Sequence, residues 1–200
     1  MKNKKNQNRL NGKDFMTVGC FTAIYIVVYV LVSCTLGLIP ILSMLIQFFS
    51  SFILGIPMIL YFAKVKKFGL VLITYFIIGV LLMFLGTGAY TLILAPICAL
   101  IAEFILRAGN YKNVNYAVVA FAITCVGANG NALYWVLASE ETLADHAVSV
   151  GQEYMNVVLG YFSNWWVLPV ILLSAFVGGG LGGILGKKVL RKHFIRSGVL

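Results

Sequence analysis

Two carboxamide side chains interrupt the fifth long apolar run of this 200-residue chain. Asn129 and Asn131 flank a glycine, and Tyr134 and Trp135 follow them. Inside a bilayer a carboxamide is costly unless it bonds to a neighbouring helix, to water or to a ligand. A helix break at Asn129 would also expose backbone groups, which membrane proteins tolerate only where those groups line a cavity. The pattern therefore predicts either interhelical hydrogen bonds beside an aromatic belt, or the polar wall of a pocket for a small molecule.

Other polar and aromatic side chains stand at the same predicted end of neighbouring runs and could converge on this pocket. These further candidates for substrate binding are Tyr90, Asn164, Trp165, Trp166 and His146. Aromatic residues at this depth usually anchor a helix in the membrane interface. Their flat rings also supply stacking walls for a conjugated ligand. Gln47 and Ser43 in the second run are further candidates, although hydrogen bonds in the core are the more ordinary role for them.

A metal site has little support in the sequence. His146 lies beside Asp145, with Glu141 and Glu153 nearby, so a cation could bind there. One histidine in an acidic loop is nevertheless usually a solvated side chain. The four cysteines fall inside apolar runs without metal-ligand spacing. We therefore expect no resident metal and no cofactor.

Catalytic motifs are also missing from the sequence. It contains no HExxH, no GxSxG, no phosphate-cradling GxxxxGK[ST] and no pair of intramembrane aspartates. Glu140 and Glu141 superficially resemble the paired glutamates of CAAX-type membrane proteases, but the arginine and histidines of that site do not accompany them. We expect no enzymatic activity.

The elements that must position these residues are long apolar helices. The chain is 61% hydrophobic and only 10% charged, and about 20 apolar residues suffice to cross a bilayer as a helix. The sequence predicts an all-α integral membrane protein with six transmembrane helices. Their approximate ranges are 14–35, 39–63, 68–85, 90–107, 115–138 and 164–186. A basic tail, 1–13, precedes this membrane domain of residues 14–186, and a second basic tail, 187–200, follows it.

The cationic residues fix the orientation of this bundle. All 15 lysines and arginines precede the first run or follow the second, fourth or sixth. Such residues stay on the cytoplasmic side during insertion, so both termini are predicted to be cytoplasmic. The net charge of +9 is then explained by topology rather than by nucleic-acid binding.

One long segment, 139–163, lies on the outer side between the fifth and sixth runs. It is predicted to be amphipathic, because apolar residues recur in it at three- and four-residue spacing. That apolar face comprises Leu143, Ala147, Val150, Tyr154, Val157, Val158 and Tyr161. The segment is either a helix resting on the membrane surface or a lid over a binding cavity.

Small residues at four-residue spacing predict close helix contacts. The sixth run carries Ser174, Gly178, Gly182 and Gly186, with Gly179 and Gly183 as a second pair. Such a groove admits another helix into backbone contact, and the partner helix could belong to this chain or to another protein. Gly19 and Ala23 form a single, weaker pair in the first run.

A charged pair is predicted in the fourth run. Glu103 precedes Arg107 by four residues, the spacing of an intrahelical ion pair. We favour this ion pair over a proton relay.

Both ends of the chain resemble a known family. The motifs are Lys13-Asp14-Phe15 with Gly19, Phe21 and Ala23-Ile24-Tyr25, then Gly182, Gly186-Lys187-Lys188, Lys192-His193-Phe194 and Gly198. They resemble the Trep_Strep family of bacterial energy-coupling-factor (ECF) transporter S components.

This resemblance implies a substrate-binding subunit in the bacterial plasma membrane. Such a subunit would capture a micronutrient outside the cell: a vitamin, a metal chelate or a tetrapyrrole-like molecule. It would dock on a transmembrane coupling subunit driven by two cytoplasmic ATPases, and topple to release its cargo inside. In that group an AxxxA pattern in the first helix forms the docking face, which here corresponds to Gly19 and Ala23. The alternative is a stand-alone secondary transporter or channel, which inverted repeats would favour.

The charge of the outer segments bears on the ligand. They contain Glu140, Glu141, Asp145 and Glu153 but no lysine or arginine. This charge favours a neutral, cationic or metal-containing ligand over a polyanion.

Overall fold

The computed structural model describes residues 10–196, with side chains described over residues 10–191. Within this range the chain is all-α, without a strand. Its helices are α1 (Gly12–Leu36), α2 (Pro40–Ser43), α3 (Ile46–Lys64), α4 (Leu70–Leu82), α5 (Tyr90–Ala108), α6 (Val114–Ala128), α7 (Tyr134–Leu137), α8 (Glu140–Val150), α9 (Gln152–Phe162) and α10 (Val167–Arg196). A π-helical turn, Met83–Thr87, extends α4, and a 3₁₀ turn, Gly130–Leu133, joins α6 to α7.

Six helical segments of the described range are long and apolar enough to cross a bilayer. They are Gly12–Leu36, Ile46–Lys64, Leu70–Thr87, Tyr90–Ala108, Val114–Leu137 and Val167–Arg191. The predicted six-helix membrane bundle is therefore confirmed, and the chain is a multi-pass membrane protein.

The terminal helices begin and end outside the predicted limits. α1 begins at Gly12 because Asn11 and Asp14 form a capping box: the Asn11 side chain accepts from the Asp14 N–H at 3.1 Å, and Asp14 Oδ2 accepts from the Asn11 N–H at 2.8 Å. α10 continues through Lys187 to Arg196, so much of the predicted C-terminal tail is helical. Residues 1–9 and 197–200 of the two predicted tails lie outside the described residues.

The second and fifth predicted helices are each divided. The second is split into α2, with Pro40 in its first turn, and α3. The fifth stops at Ala128, turns through a 3₁₀ segment and resumes at Tyr134. The predicted interruption at Asn129 is thus confirmed, and it places Asn131 in a short turn rather than in a continuous helix.

The glycines of α10 bring its backbone against two helices of the same chain. A Cβ on Gly178 or Gly182 would meet the backbone of Phe48 or Phe52 in α3, and one on Gly186 would meet the backbone of Gly55. On the adjacent edge of α10, Gly179 and Gly183 face α6. The sequence did not show whether the helix that packs in this groove belongs to this chain or to another protein. The structure shows that it belongs to this chain. Ser174, in the same register, is half-buried and donates to the Ile171 carbonyl at 2.7 Å.

Glu103 does not pair with Arg107, so that prediction is wrong. The Glu103 side chain is fully buried, and its Oε1 accepts from the backbone N–H groups of Gly69 at 2.9 Å and Val71 at 2.8 Å. Its Oε2 accepts from the Tyr111 hydroxyl at 3.2 Å. The Gly69 and Val71 donors belong to the start of α4, where backbone N–H groups lack intrahelical partners. Arg107 instead lies over the Phe68 ring, 6.0 Å from its centroid.

Candidate functional site

A cavity of about 390 Å³ opens at the outer end of the bundle, opposite the loops that carry lysine and arginine. We call it the outer cavity. It lies among the end of α1, the start of α3, the turn after α6, α9 and the start of α10. Its polar lining is Tyr29, Ser33, Ser43, Gln47, Thr87 and Asn131, and its aromatic lining also includes Trp135, Tyr154 and Phe162. None of the residues lining it is Asp, Glu, Lys or Arg.

Two amide oxygens in this lining are buried without a hydrogen-bond partner. Asn131 donates from Nδ2 to the Tyr29 hydroxyl at 2.9 Å, while its Oδ1 has no partner. Gln47 is only 6% exposed, and its Oε1 is likewise unpartnered. A buried acceptor without a donor costs about 1–3 kcal/mol. Both oxygens belong to side chains that line one cavity, where a ligand with hydrogen-bond donors could satisfy them.

Trp135 stands between the outer cavity and two smaller ones. Its ring stacks on Phe162, with centroids 6.1 Å apart and an interplanar angle of 19°, and it meets His146 edge-on at 5.7 Å. The smaller cavities, of about 130 and 350 Å³, are both lined by Trp135 and His146. The predicted site residues Asn131, Tyr134, Trp135 and His146 are therefore brought together around one indole ring.

Helices α8 and α9 form the outer wall of this site, and we call them the cover. From α9, Tyr154 and Phe162 line the outer cavity. From α8, Ala147 is buried, and the Thr142 carbonyl accepts from the Tyr134 hydroxyl at 3.2 Å. This arrangement agrees with the lid interpretation of the amphipathic segment.

The apolar face predicted for the cover is partly wrong. Gly151, at φ +95°, separates the two helices and changes the register. Val150 and Val157 are consequently exposed, at 38% and 39%, while Met155 and Phe162 turn inward.

Asn129 takes part in core packing rather than in the site. Its side chain is fully buried, and Nδ2 donates to Ser51 Oγ at 3.2 Å and to the Cys125 carbonyl at 2.8 Å. It lines none of the three cavities around Trp135. For Asn129 the structure therefore shows an interhelical hydrogen bond, the first of the two predicted roles, and not a place in the pocket wall.

Four further predicted site residues also lie away from these cavities. Asn164, Trp165 and Trp166 occupy the turn before α10, where they are exposed, Trp165 by 86%. Tyr90 begins α5 and lies beside Gly88. The turn projects its side chains away from the bundle, so the two tryptophans suit the interface-anchor role.

Sequence reasoning missed much of the lining from α1 and α9. Tyr29, Ser33 and Phe162 occupy ordinary positions in apolar patterns and carried no signal. Gln47 did carry one, because a carboxamide in an apolar run is costly without a partner. The structure turns that side chain toward the cavity, without a hydrogen bond to the core.

The small-residue pair of α1 lies on the outside of the bundle. Gly19 and Ala23 are exposed, and a Cβ added to Gly19 would meet nothing within 4 Å. The opposite face of α1 packs on α3 and α4. Gly19 and Ala23 therefore leave a shallow surface open to lipid or to another protein.

No curated protein and no solved structure matches the chain. A family model described as a hypothetical bacterial integral membrane protein (Trep_Strep) matches residues 12–196. Because this match spans all six membrane segments, the chain belongs to the Trep_Strep family of bacterial integral membrane proteins.

Proposed function

We propose that this protein is the substrate-binding S component of an ECF-type ABC transporter. It captures a micronutrient in the outer cavity and delivers it inside together with a transmembrane coupling subunit and two cytoplasmic ATPases. The observation that carries this proposal is the cavity itself, which lies under the cover and is lined by Gln47 and Asn131, two side chains whose amide oxygens are unpaired.

The packing of the bundle below the cavity supports capture rather than conduction. One turn down α1 from Tyr29, Tyr25 is buried against Tyr75, with ring centroids 6.0 Å apart. Tyr75 accepts a hydrogen bond from Thr124 at 2.8 Å, and Phe121 is fully buried on the same helix as Thr124. Close-packed interiors leave no room for a solute. A ligand in the outer cavity therefore has no open path to the cytoplasm in this conformation, and toppling of the bundle would provide one.

The outer surface of α1 supports docking on a membrane partner. Gly19 and Ala23 let a partner helix approach the α1 backbone closely, as small residues at four-residue spacing do within membranes. The grooved edges of α10 cannot serve this purpose, because α3 already covers Gly178, Gly182 and Gly186 and α6 already covers Gly179 and Gly183.

Affinity purification from the native host's membranes tests the proposal. A tagged copy in mild detergent is expected to recover a coupling membrane protein and two ATPases, identified by mass spectrometry. Recovery of the chain alone, together with uptake that persists without ATPase partners, would instead favour a stand-alone secondary transporter.

Bulk at the α1 surface is expected to block docking. Gly19→Leu and Ala23→Leu should each reduce recovery of the coupling subunit about tenfold, a loss of about 1.4 kcal/mol in association. Both positions are exposed on the outside of the bundle, so the two variants should still fold. The measurement is quantitative mass spectrometry of the purified complexes.

Gly180→Leu is the matched control for these variants. It adds the same side chain to α10 at a position where a Cβ meets nothing within 4 Å. Recovery of the coupling subunit should remain at the wild-type level. If the α1 variants recover as much partner as this control does, the docking face lies elsewhere.

A further inference from the structure

The cavities around Trp135 hold no carboxylate, ammonium or guanidinium group. The outer cavity and the two smaller ones are lined without Asp, Glu, Lys or Arg. The acidic residues of the cover, among them Glu141 and Glu153, are exposed and line none of these spaces. A charged ligand would lose its hydration there without gaining a counter-charge, which is strongly unfavourable.

His146 is the one histidine in the linings of these three cavities. It lines only the smaller cavities, where it meets Tyr134 and Trp135 edge-on. The outer cavity is accordingly a neutral environment.

The unpaired groups of the outer cavity are the two amide oxygens, which only accept, and the Ser33 hydroxyl, which can accept or donate. The Tyr29 hydroxyl takes the Nδ2 hydrogen of Asn131, and this bond leaves Asn131 Oδ1 as the unpaired atom of that amide. The Gln47 side chain of α3 is only 6% exposed, and its Oε1 is the second unpaired amide oxygen. A polar site of this kind discriminates strongly against molecules that leave its groups unpaired. N–H or O–H donors on the ligand would satisfy both oxygens.

Part of the remaining wall is aromatic. Trp135 and Phe162 present a stacked pair of rings, and Tyr154 adds a third aromatic side chain from the cover. Aromatic walls favour a planar ring system that can stack or pack edge-on. The volume of about 390 Å³ falls within the usual range for small-molecule sites, about 300–1,000 Å³.

We infer that the outer cavity selects an uncharged, planar small molecule whose N–H or O–H donors bind Gln47 Oε1 and Asn131 Oδ1. The inference rests on the proposed function, since it names the class of substrate captured at that site. The acidic outer segments favoured a neutral, cationic or metal-containing ligand. The inference narrows this range to neutral ligands, because the acidic side chains do not line the cavities. Cationic and metal-containing cargoes are therefore disfavoured.

Three related probes test the inference on the detergent-purified protein. Benzimidazolone is planar, uncharged and carries two N–H donors. Its 1,3-dimethyl derivative lacks the donors, and its 5-carboxylate carries a negative charge. Binding is measured by ligand-observed saturation-transfer NMR. We expect benzimidazolone to bind at least tenfold more tightly than either derivative.

A pair of glutamine variants assigns the binding to the outer cavity. Gln47→Met keeps the length of the side chain but removes the acceptor, and it should weaken benzimidazolone binding about tenfold. Gln152→Met makes the same change at an exposed position of α9 and should leave binding unchanged. Thermal unfolding of both variants reports whether each remains folded, and Asn131→Leu provides a second, independent loss of an acceptor.

The possible outcomes separate the inference from the proposed function. Tighter binding of the carboxylate or of the dimethyl derivative would overturn the inference, and so would equal binding by wild-type and both acceptor-deficient variants. Neither result would affect recovery of the coupling subunit and ATPases, which tests the proposed function alone. An extract of the purified protein whose main bound compound is charged at pH 7 would likewise overturn the inference.

Discussion

Replacing Gly182 with leucine is expected to prevent α10 from packing on α3. A Cβ at this position would overlap the carbonyl of Phe52, and the backbone of Gly182 itself lies where a Cβ on Gly55 would fall. The two helices are therefore in backbone contact, and neither can yield by rotating a side chain. Overpacking a close contact costs about 1–3 kcal/mol and occasionally more. A loss of about 3 kcal/mol corresponds to a fall in melting temperature of about 6–12 °C for a chain of this size.

The measurement is thermal unfolding in detergent, together with the fraction of monodisperse protein on gel filtration. Gly180→Leu, two residues away on α10, is the matched control, because a Cβ there meets open space. That variant should melt within a few degrees of wild type. If Gly182→Leu were as stable as Gly180→Leu, the glycine groove would not be the internal contact described above.

The sequence predicted the scaffold well because bilayer insertion imposes simple rules. Apolar length predicted six spans, and glycine spacing predicted a close helix contact. The helix break at Asn129 could also be predicted, since an Asn-Gly pair in an apolar helix is a turn signal. Spacing alone could not identify α3 as the partner of Gly182, because that contact depends on how the helices are arranged in three dimensions.

The site was harder to predict because it depends on the direction of individual side chains. Asn129 and Asn131 look alike in sequence, yet the helix break turns one into the core and the other toward the cavity. A single glycine, Gly151, likewise changes which residues of the cover face inward. Trp135 was found because it follows the break directly, whereas Tyr29 comes from a distant helix with an unremarkable pattern.

The direction of the Glu103 side chain was equally hard to predict, and removing its carboxylate is expected to destabilise the protein strongly. Four-residue spacing suggested an ion pair on the helix surface, but the carboxylate is buried and binds two N–H groups at the start of α4. Glu103→Leu should leave the buried Val71 N–H unpaired, remove the acceptor of the half-buried Gly69 N–H and release the Tyr111 hydroxyl. At about 1–3 kcal/mol for an unpaired buried donor, and less for a half-buried one, the expected loss of stability is about 2–4 kcal/mol. Thermal unfolding of the purified variant in detergent measures this loss.

Two further variants separate this capping role from an ion pair. Glu103→Gln retains an oxygen for the N–H groups of Gly69 and Val71, and its new amide can donate to Tyr111, so most of the stability should be kept. Arg107→Gln alters an exposed side chain and removes its contact with the Phe68 ring, so it should change stability by no more than about 1 kcal/mol. If Glu103 and Arg107 formed an ion pair, Glu103→Gln and Arg107→Gln would each remove one of its two charges. The two variants should then lose similar amounts of stability. Comparable losses in those two variants, with Glu103→Leu no worse than either, would contradict the capping role. Glu103 is instead expected to hold α4 and the α5–α6 turn together from within the bundle, at the end opposite the outer cavity.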